Sequence, residues 1–287
     1  MMKKTSKNYS VEKNKSELIK LYDILYSDLK DLARSYRLDE DELEKYFIPD
    51  AYSSNFSKNV LYHLCSSLQN SGMMHNSIKF NSKTSNNNKL ITVALNNMDL
   101  KKSMSEFRSD KDIYKKFIKL GIKDNGTGNN KETNWKKYCK GLYDGMAFLY
   151  KENGLQILKN LTKAEDLIED NLKHITSISE GIHGLGFALT CDWLKESGCI
   201  WLAKPDVHIN EVVKKIISCD EIKDIDTLIF MDSWAKLLRT GKKHKDVTTY
   251  KLDKVIWLLC TGNFYLHETK IGRDMILQEI DTLRGKK

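Results

Sequence analysis

The residues best placed to do chemistry lie within one stretch, Ile175 to Ile216, ITSISEGIHGLGFALTCDWLKESGCIWLAKPDVHINEVVKKI. Two groups stand out in it. The first is the run Ile182-His183-Gly184-Leu185-Gly186, a glycine turn between two segments of helical periodicity. Glycine lets the backbone bend sharply and approach a partner closely. The first amides of the helix that follows have no partner inside it, and with the helix dipole they form an anion site, most naturally for a phosphate. The second group is Asp206, twenty residues beyond Gly186, in Lys204-Pro205-Asp206-Val207-His208-Ile209. It stands ahead of the apolar run Val207, Val212, Val213, Ile216 and Ile217, where an N-cap belongs. A helix terminus favours the ionised form of such a carboxylate. A fixed carboxylate stabilises a positive transition state or activates an attacking water.

These groups must be positioned by helices. Leu172, Ile175, Ile178 and Ile182 recur every three or four residues before the turn, and Phe187, Ala188, Cys191 and Leu194 after it, until Ser197-Gly198 ends the run. The result is a helix-hairpin-helix over 175–198. Glycines after a helical segment, with no strand before them, argue against a dinucleotide site. Elsewhere the patterns predict helices from a Ser16 cap through about Tyr36, over Asp39–Phe47, and from Phe56 to about Gly72. Further helices are expected at 113–120, 135–150, 207–218, 224–240, 250–261 and 270–284, and Leu155–Leu172 leads into the hairpin. Leu90–Leu95 fits strand or helix equally, and Cys199–Ala203 reads as a short extended piece. Polar loops are expected at 81–89 and 124–133, and residues 1–15 read as a mobile polar tail. The fold class is therefore all-α.

Pattern and spacing together resemble the helix-hairpin-helix DNA glycosylase superfamily, which includes endonuclease III and 8-oxoguanine glycosylase. That family has an apolar residue, often Pro, then Gly-apolar-Gly, and about twenty residues later an Asp followed by an apolar-His-apolar run. Ile182, Gly184, Leu185, Gly186, Asp206, Val207, His208 and Ile209 match it, and His183 stands where Pro is usual. The resemblance implies two helical lobes with a cleft between them, 16–55 joined by 205–287 in one and 56–204 in the other. It implies Asp206 as the catalytic acid, and Gly184, Leu185, Gly186 and Lys204 as phosphate contacts. Gln69 or Asn70, at the end of the early core helix, would fill the gap left by an extruded base. Asp253 reads as packing or as support behind the acid, and His208 as such support or as a satisfied structural histidine. The partner would be double-stranded DNA, bound by a cytoplasmic monomer that flips a base and excises it. The alternatives are removal of hypermodified, for example glucosylated, cytosines in antiviral defence, and a non-catalytic DNA-binding hairpin protein. Relatives that also cut the strand carry a lysine two positions beyond the second glycine. Here that position is Ala188, and the nearest lysines are Lys195 and Lys204, so water is the expected nucleophile.

Composition sets outer limits. Lys and Arg total 47 against 39 Asp and Glu, a net charge of +8 that suits a polyanionic partner without requiring one. No apolar run approaches the ~18 residues of a membrane span. The six cysteines lack CxxC spacing, which predicts buried thiols in a reducing compartment and no zinc site. Only Cys260 lies beyond residue 219, so no cofactor, metal or iron–sulfur cluster is expected. Tyr62, Trp193, Trp201, Tyr250 and Trp257 are candidates to stack on a base. Leu238–Lys245, LRTGKKHK, is a compact basic loop suited to a phosphate backbone or to solvent.

Overall fold

The leucine stripe of the first helix settles its place. In the computed structural model, which describes residues 11–124, 132–151, 153–264, 267–268 and 274–285, Leu18, Leu21, Leu25, Leu29 and Leu32 are all buried on one face of α1 (Lys15–Ser35). The cap falls at Asn14, two residues ahead of the expected Ser16, and makes no side-chain cap bond. The described residues are helical apart from turns, loops and one β pair, Asn263–Phe264 with His267–Glu268. The chain divides into two compact units: Met1–Pro49 with Glu165–Leu167 and Ile200–Lys287, and Asp50–Ala164 with Ile168–Cys199.

In the first unit, α1 is followed by α2 (Glu40–Glu44), which opens on a capping box between Asp39 and Glu42. After Cys199 the chain re-enters this unit. No strand forms at the expected extended piece, although Trp201, Leu202 and Ala203 are buried there. Tyr250 instead donates its backbone N–H to Ile200 O at 2.9 Å, so one amide pairs where a ladder would need several.

The second unit holds α3 (Phe56–Leu68), α4 (His75–Ile78), α5 (Asn87–Ala94), α6 (Leu100–Glu106), α7 (Asp110–Lys119), α8 (Asn134–Lys151), α9 (Gly154–Leu161), α10 (Glu169–Gly181) and α11 (Phe187–Glu196). The ambiguous 90–95 segment is thus helical up to Ala94, and the 155–172 segment is divided between α9 and the start of α10. Most of the 124–133 loop, and the tail through residue 10, lie outside the described residues. The axis of this unit is α3, on which Val60, Leu61, Leu64, Cys65 and Leu68 are fully buried. Burying one such leucine contributes roughly 1.5–3 kcal/mol. Trp193 Nε1 donates to Val60 O at 2.9 Å and Tyr138 Oη to Cys65 O at 2.9 Å, fixing α11 and α8 to α3. Gly145 permits the α8 approach, because a Cβ there would stand 2.5 Å from Leu64 Cδ2.

The first unit is completed by α12 (Val207–Ile217), α13 (Asp224–Arg239), α14 (Thr249–Thr261) and α15 (Asp274–Leu283). Of the helix expected over 270–284, the first four positions lie outside the described residues. Trp234 on α13 donates to Leu18 O of α1 at 3.2 Å. Arg284 ties α15 to both α1 and α12, through Glu17 Oε1 at 3.0 Å and the carbonyls of Lys215 and Ile216. All six cysteines are free thiols, and five of them are buried. No described helix is long and apolar enough to cross a membrane.

Candidate functional site

The hairpin of the second unit is built by two buried anchors and two glycines. Ile182 and Leu185 are 3% and 1% exposed, and Leu185 N donates to Ile182 O at 3.1 Å, closing a four-residue turn. Gly184 is its second central residue, with φ of 78°. That is the left-handed conformation which L side chains resist. Gly186 serves as the N-cap of α11 with ordinary extended backbone, and its carbonyl accepts Thr190 N at 2.9 Å. The amides of Gly186, Phe187, Ala188 and Leu189 donate to no acceptor among the described residues. Gly186 is exposed and Leu189 half-buried. Chemically, this turn offers outward N–H groups at the positive end of a helix.

Two further elements of the same unit meet the turn. Asp144 of α8 accepts His183 N through Oδ2 at 3.2 Å. Gly141, one helical turn earlier, lies so close to the hairpin that a Cβ would stand 2.5 Å from His183 O. The segment that follows α3 is close as well, since a Cβ at Gly184 would come 3.2 Å from Ser71 Oγ. Gln69 and Asn70 both precede that serine but differ in role. Gln69 is 3% exposed, and its Oε1 accepts the amides of Phe80 and Asn81 at 2.8 and 3.4 Å. Its amide therefore holds a loop and does not reach out as a gap-filling group. Asn70 is exposed beside the hairpin.

Asp206, in the first unit, caps α12. Its Oδ1 accepts the amides of His208 and Ile209 at 3.0 and 3.2 Å. Its Oδ2 accepts no hydrogen bond from the described residues, and Lys204 Nζ stands 4.0 Å away. The carboxylate is thus oriented through one oxygen and offers the other. The segment before it is pinned by Asp253, 1% exposed, whose Oδ1 accepts Lys204 N at 2.8 Å. Asp206 N also donates to Lys204 O at 2.7 Å across Pro205. His208 is not the satisfied structural histidine its place suggests: it meets Asp206 through its amide, while its Nδ1 is buried without a partner among the described residues.

Other expected contacts are reassigned. Lys195 is 3% exposed and bonds Glu196 Oε1 at 3.0 Å, so this amine is committed within its own unit. In the basic loop, Arg239 Nη2 holds Asp166 at 2.9 Å and Lys243 Nζ holds Asp23 at 2.5 Å, while Lys242 and Lys245 are exposed. Trp193, Trp201 and Tyr250 are core residues. Tyr62 is half-buried and stacks on Tyr52, 40% exposed, with ring centres 4.1 Å apart. Tyr52 and Asp144 are residues that sequence reasoning missed, because neither carries a spacing signal. No family model, curated protein or solved structure matches the chain.

Proposed function

We propose that the protein is a DNA glycosylase that hydrolyses the N-glycosidic bond of a damaged or modified base turned out of duplex DNA. The observation that carries the reading is the state of Asp206. Two backbone amides hold Oδ1, and Oδ2 is left without a hydrogen-bond donor among the described residues. Breaking an N-glycosidic bond leaves positive charge on the sugar, and a carboxylate fixed beforehand stabilises that charge without reorganising. The same oxygen can take a proton from the attacking water.

The hairpin supplies the neutral, sequence-independent part of binding. Its outward amides from Gly186 onward suit a backbone phosphate, and Lys204 adds a cation beside the acid. Asn70 is the exposed side chain that would enter the space vacated by the flipped base. The reading carries with it the two-lobed helix-hairpin-helix glycosylase fold, action as a monomer and a cytoplasmic setting. With Ala188 where strand-cutting relatives have a lysine, water is the nucleophile and the product an intact abasic site.

The test is incubation with DNA bearing oxidised, alkylated, deaminated or naturally hypermodified bases, glucosylated hydroxymethylcytosine among them. Released bases are then identified by mass spectrometry. Release of one class by the parent chain, lost in Asp206→Asn, supports the reading and separates repair from antiviral defence. A second reading, a DNA-binding hairpin module without chemistry, rests on the same amides and needs no Asp206. Salt-dependent binding with no base released from any substrate would select it.

A further inference from the structure

Resting on the reading that the hairpin holds DNA, we propose that Asp144 of α8 is a positioning residue for it. Its carboxylate keeps the turn in the DNA-binding form through the backbone amide of His183. The turn's own hydrogen bond, Leu185 N to Ile182 O, leaves the His183 amide unused, and Asp144 Oδ2 accepts it at 3.2 Å. The carbonyl of the same residue packs on Gly141, where a Cβ would stand 2.5 Å away. Residues 141 and 144 share one face of α8. One helix face therefore fixes both backbone groups of His183, drawing in the N–H and making room for the C=O.

The charge argues for this role. A carboxylate beside amides that hold a phosphate opposes the phosphate. Its use there is explained by the strength of a hydrogen bond to an ionised acceptor. Released from Asp144, the turn would populate other conformations, and affinity would fall by the fraction lost.

The test is a double-mutant cycle in the full chain. Proline at 183 has no N–H to satisfy, and Ile182, at φ −111° and ψ 118°, already has the backbone allowed before proline. The variants are Asp144→Ala, Asp144→Asn, His183→Pro and the Ala/Pro double. Duplex affinity is read at fixed salt, and hydrogen exchange of the 182–186 amides is read without DNA. We expect Asp144→Ala to weaken binding by about ten-fold, the worth of one hydrogen bond to a charged group, and to speed exchange at Leu185. In the His183→Pro background the same substitution should cost nothing. Asp144→Asn, which keeps an acceptor but makes the weaker neutral hydrogen bond, should fall between the parent and Asp144→Ala in exchange at Leu185. In turnover, the loss should fall on the half-saturating DNA concentration and not on the maximal single-turnover rate. An equal penalty in both backgrounds, or parental exchange and affinity in Asp144→Ala, would overturn the proposal. A parent chain that binds no duplex would refute the DNA reading itself, while the exchange measurement still decides whether Asp144 seats the turn.

Discussion

Asp206→Asn separates the two roles that this carboxylate holds. Asparagine keeps an oxygen for the His208 and Ile209 amides, now at 3.0 and 3.2 Å from Oδ1, and is as good an N-cap as aspartate. What the fold loses is the charge at the helix terminus, about 0.3–1 kcal/mol. It also loses the 4.0 Å contact with Lys204, a pair worth well under 1 kcal/mol. At roughly 2–4 °C per kcal/mol for a chain of this size, the melting temperature should fall by less than about 8 °C. Catalysis should fall far more. Loss of the group that faces the sugar cation should slow release by about 10³-fold, equivalent to some 4 kcal/mol of barrier. Duplex affinity should hold or improve, since removing a negative charge near phosphates cannot weaken attraction to them. The assays are single-turnover base release under saturating enzyme, thermal melting and a binding titration. Release within a few-fold of the parent, at unchanged affinity, would refute the catalytic role and leave Asp206 an ordinary cap.

The two glycines of the hairpin should respond differently. Gly186 has ordinary backbone and open space around a Cβ, so Gly186→Val should fold normally yet bind duplex several-fold more weakly; Gly184→Ala, forced into φ of 78°, should lower the melting temperature as well. Gln69→Ala should destabilise by about 1–3 kcal/mol in urea unfolding, because it strips the Phe80 amide of its acceptor. Asn70→Ala should leave stability alone and slow base release, with extrusion followed by a fluorescent base opposite the lesion. Borohydride added during turnover should trap no protein–DNA adduct, because Ala188 stands where strand-cutting relatives have their lysine and Lys195 is committed to Glu196; an adduct lost in Lys204→Ala would move the nucleophile there.

What was legible in the sequence is what local chemistry writes. The hairpin follows from helical periodicity on both sides of two glycines, and Asp206 from a carboxylate ahead of an apolar-periodic run. Neither depends on distant residues. Asp144 was invisible because its partner is a backbone amide thirty-nine positions away, and no side-chain pattern reports a backbone acceptor. Gln69 and Asn70 were indistinguishable because neighbours at a helix end differ only in which way they face, and the loop at Phe80 decides that. The buried run Trp201–Ala203 looks like a strand by composition. With no neighbouring strand among the described residues to complete a ladder, it is irregular chain tied at one amide to Tyr250. The helix at 100–106 was missed because LKKSMSE buries only Leu100, Ser103 and Met104, too short a stripe to show a period.

The interrupted layout of the first unit has a consequence for how the protein is made. Residues 50–164 and 168–199 form a nearly continuous compact body, whereas α1 is buried by α13, α14 and α15, which follow it at the far side of that insertion. During synthesis, the hairpin-bearing unit can be complete while the leucine face of α1 is still waiting for its cover. Nascent chains halted once Cys199 has cleared the ribosome, with α14 and α15 still to come, should therefore present a formed hairpin together with an incompletely covered apolar helix. In that interval the leucine face of α1 is the surface a chaperone would have to cover.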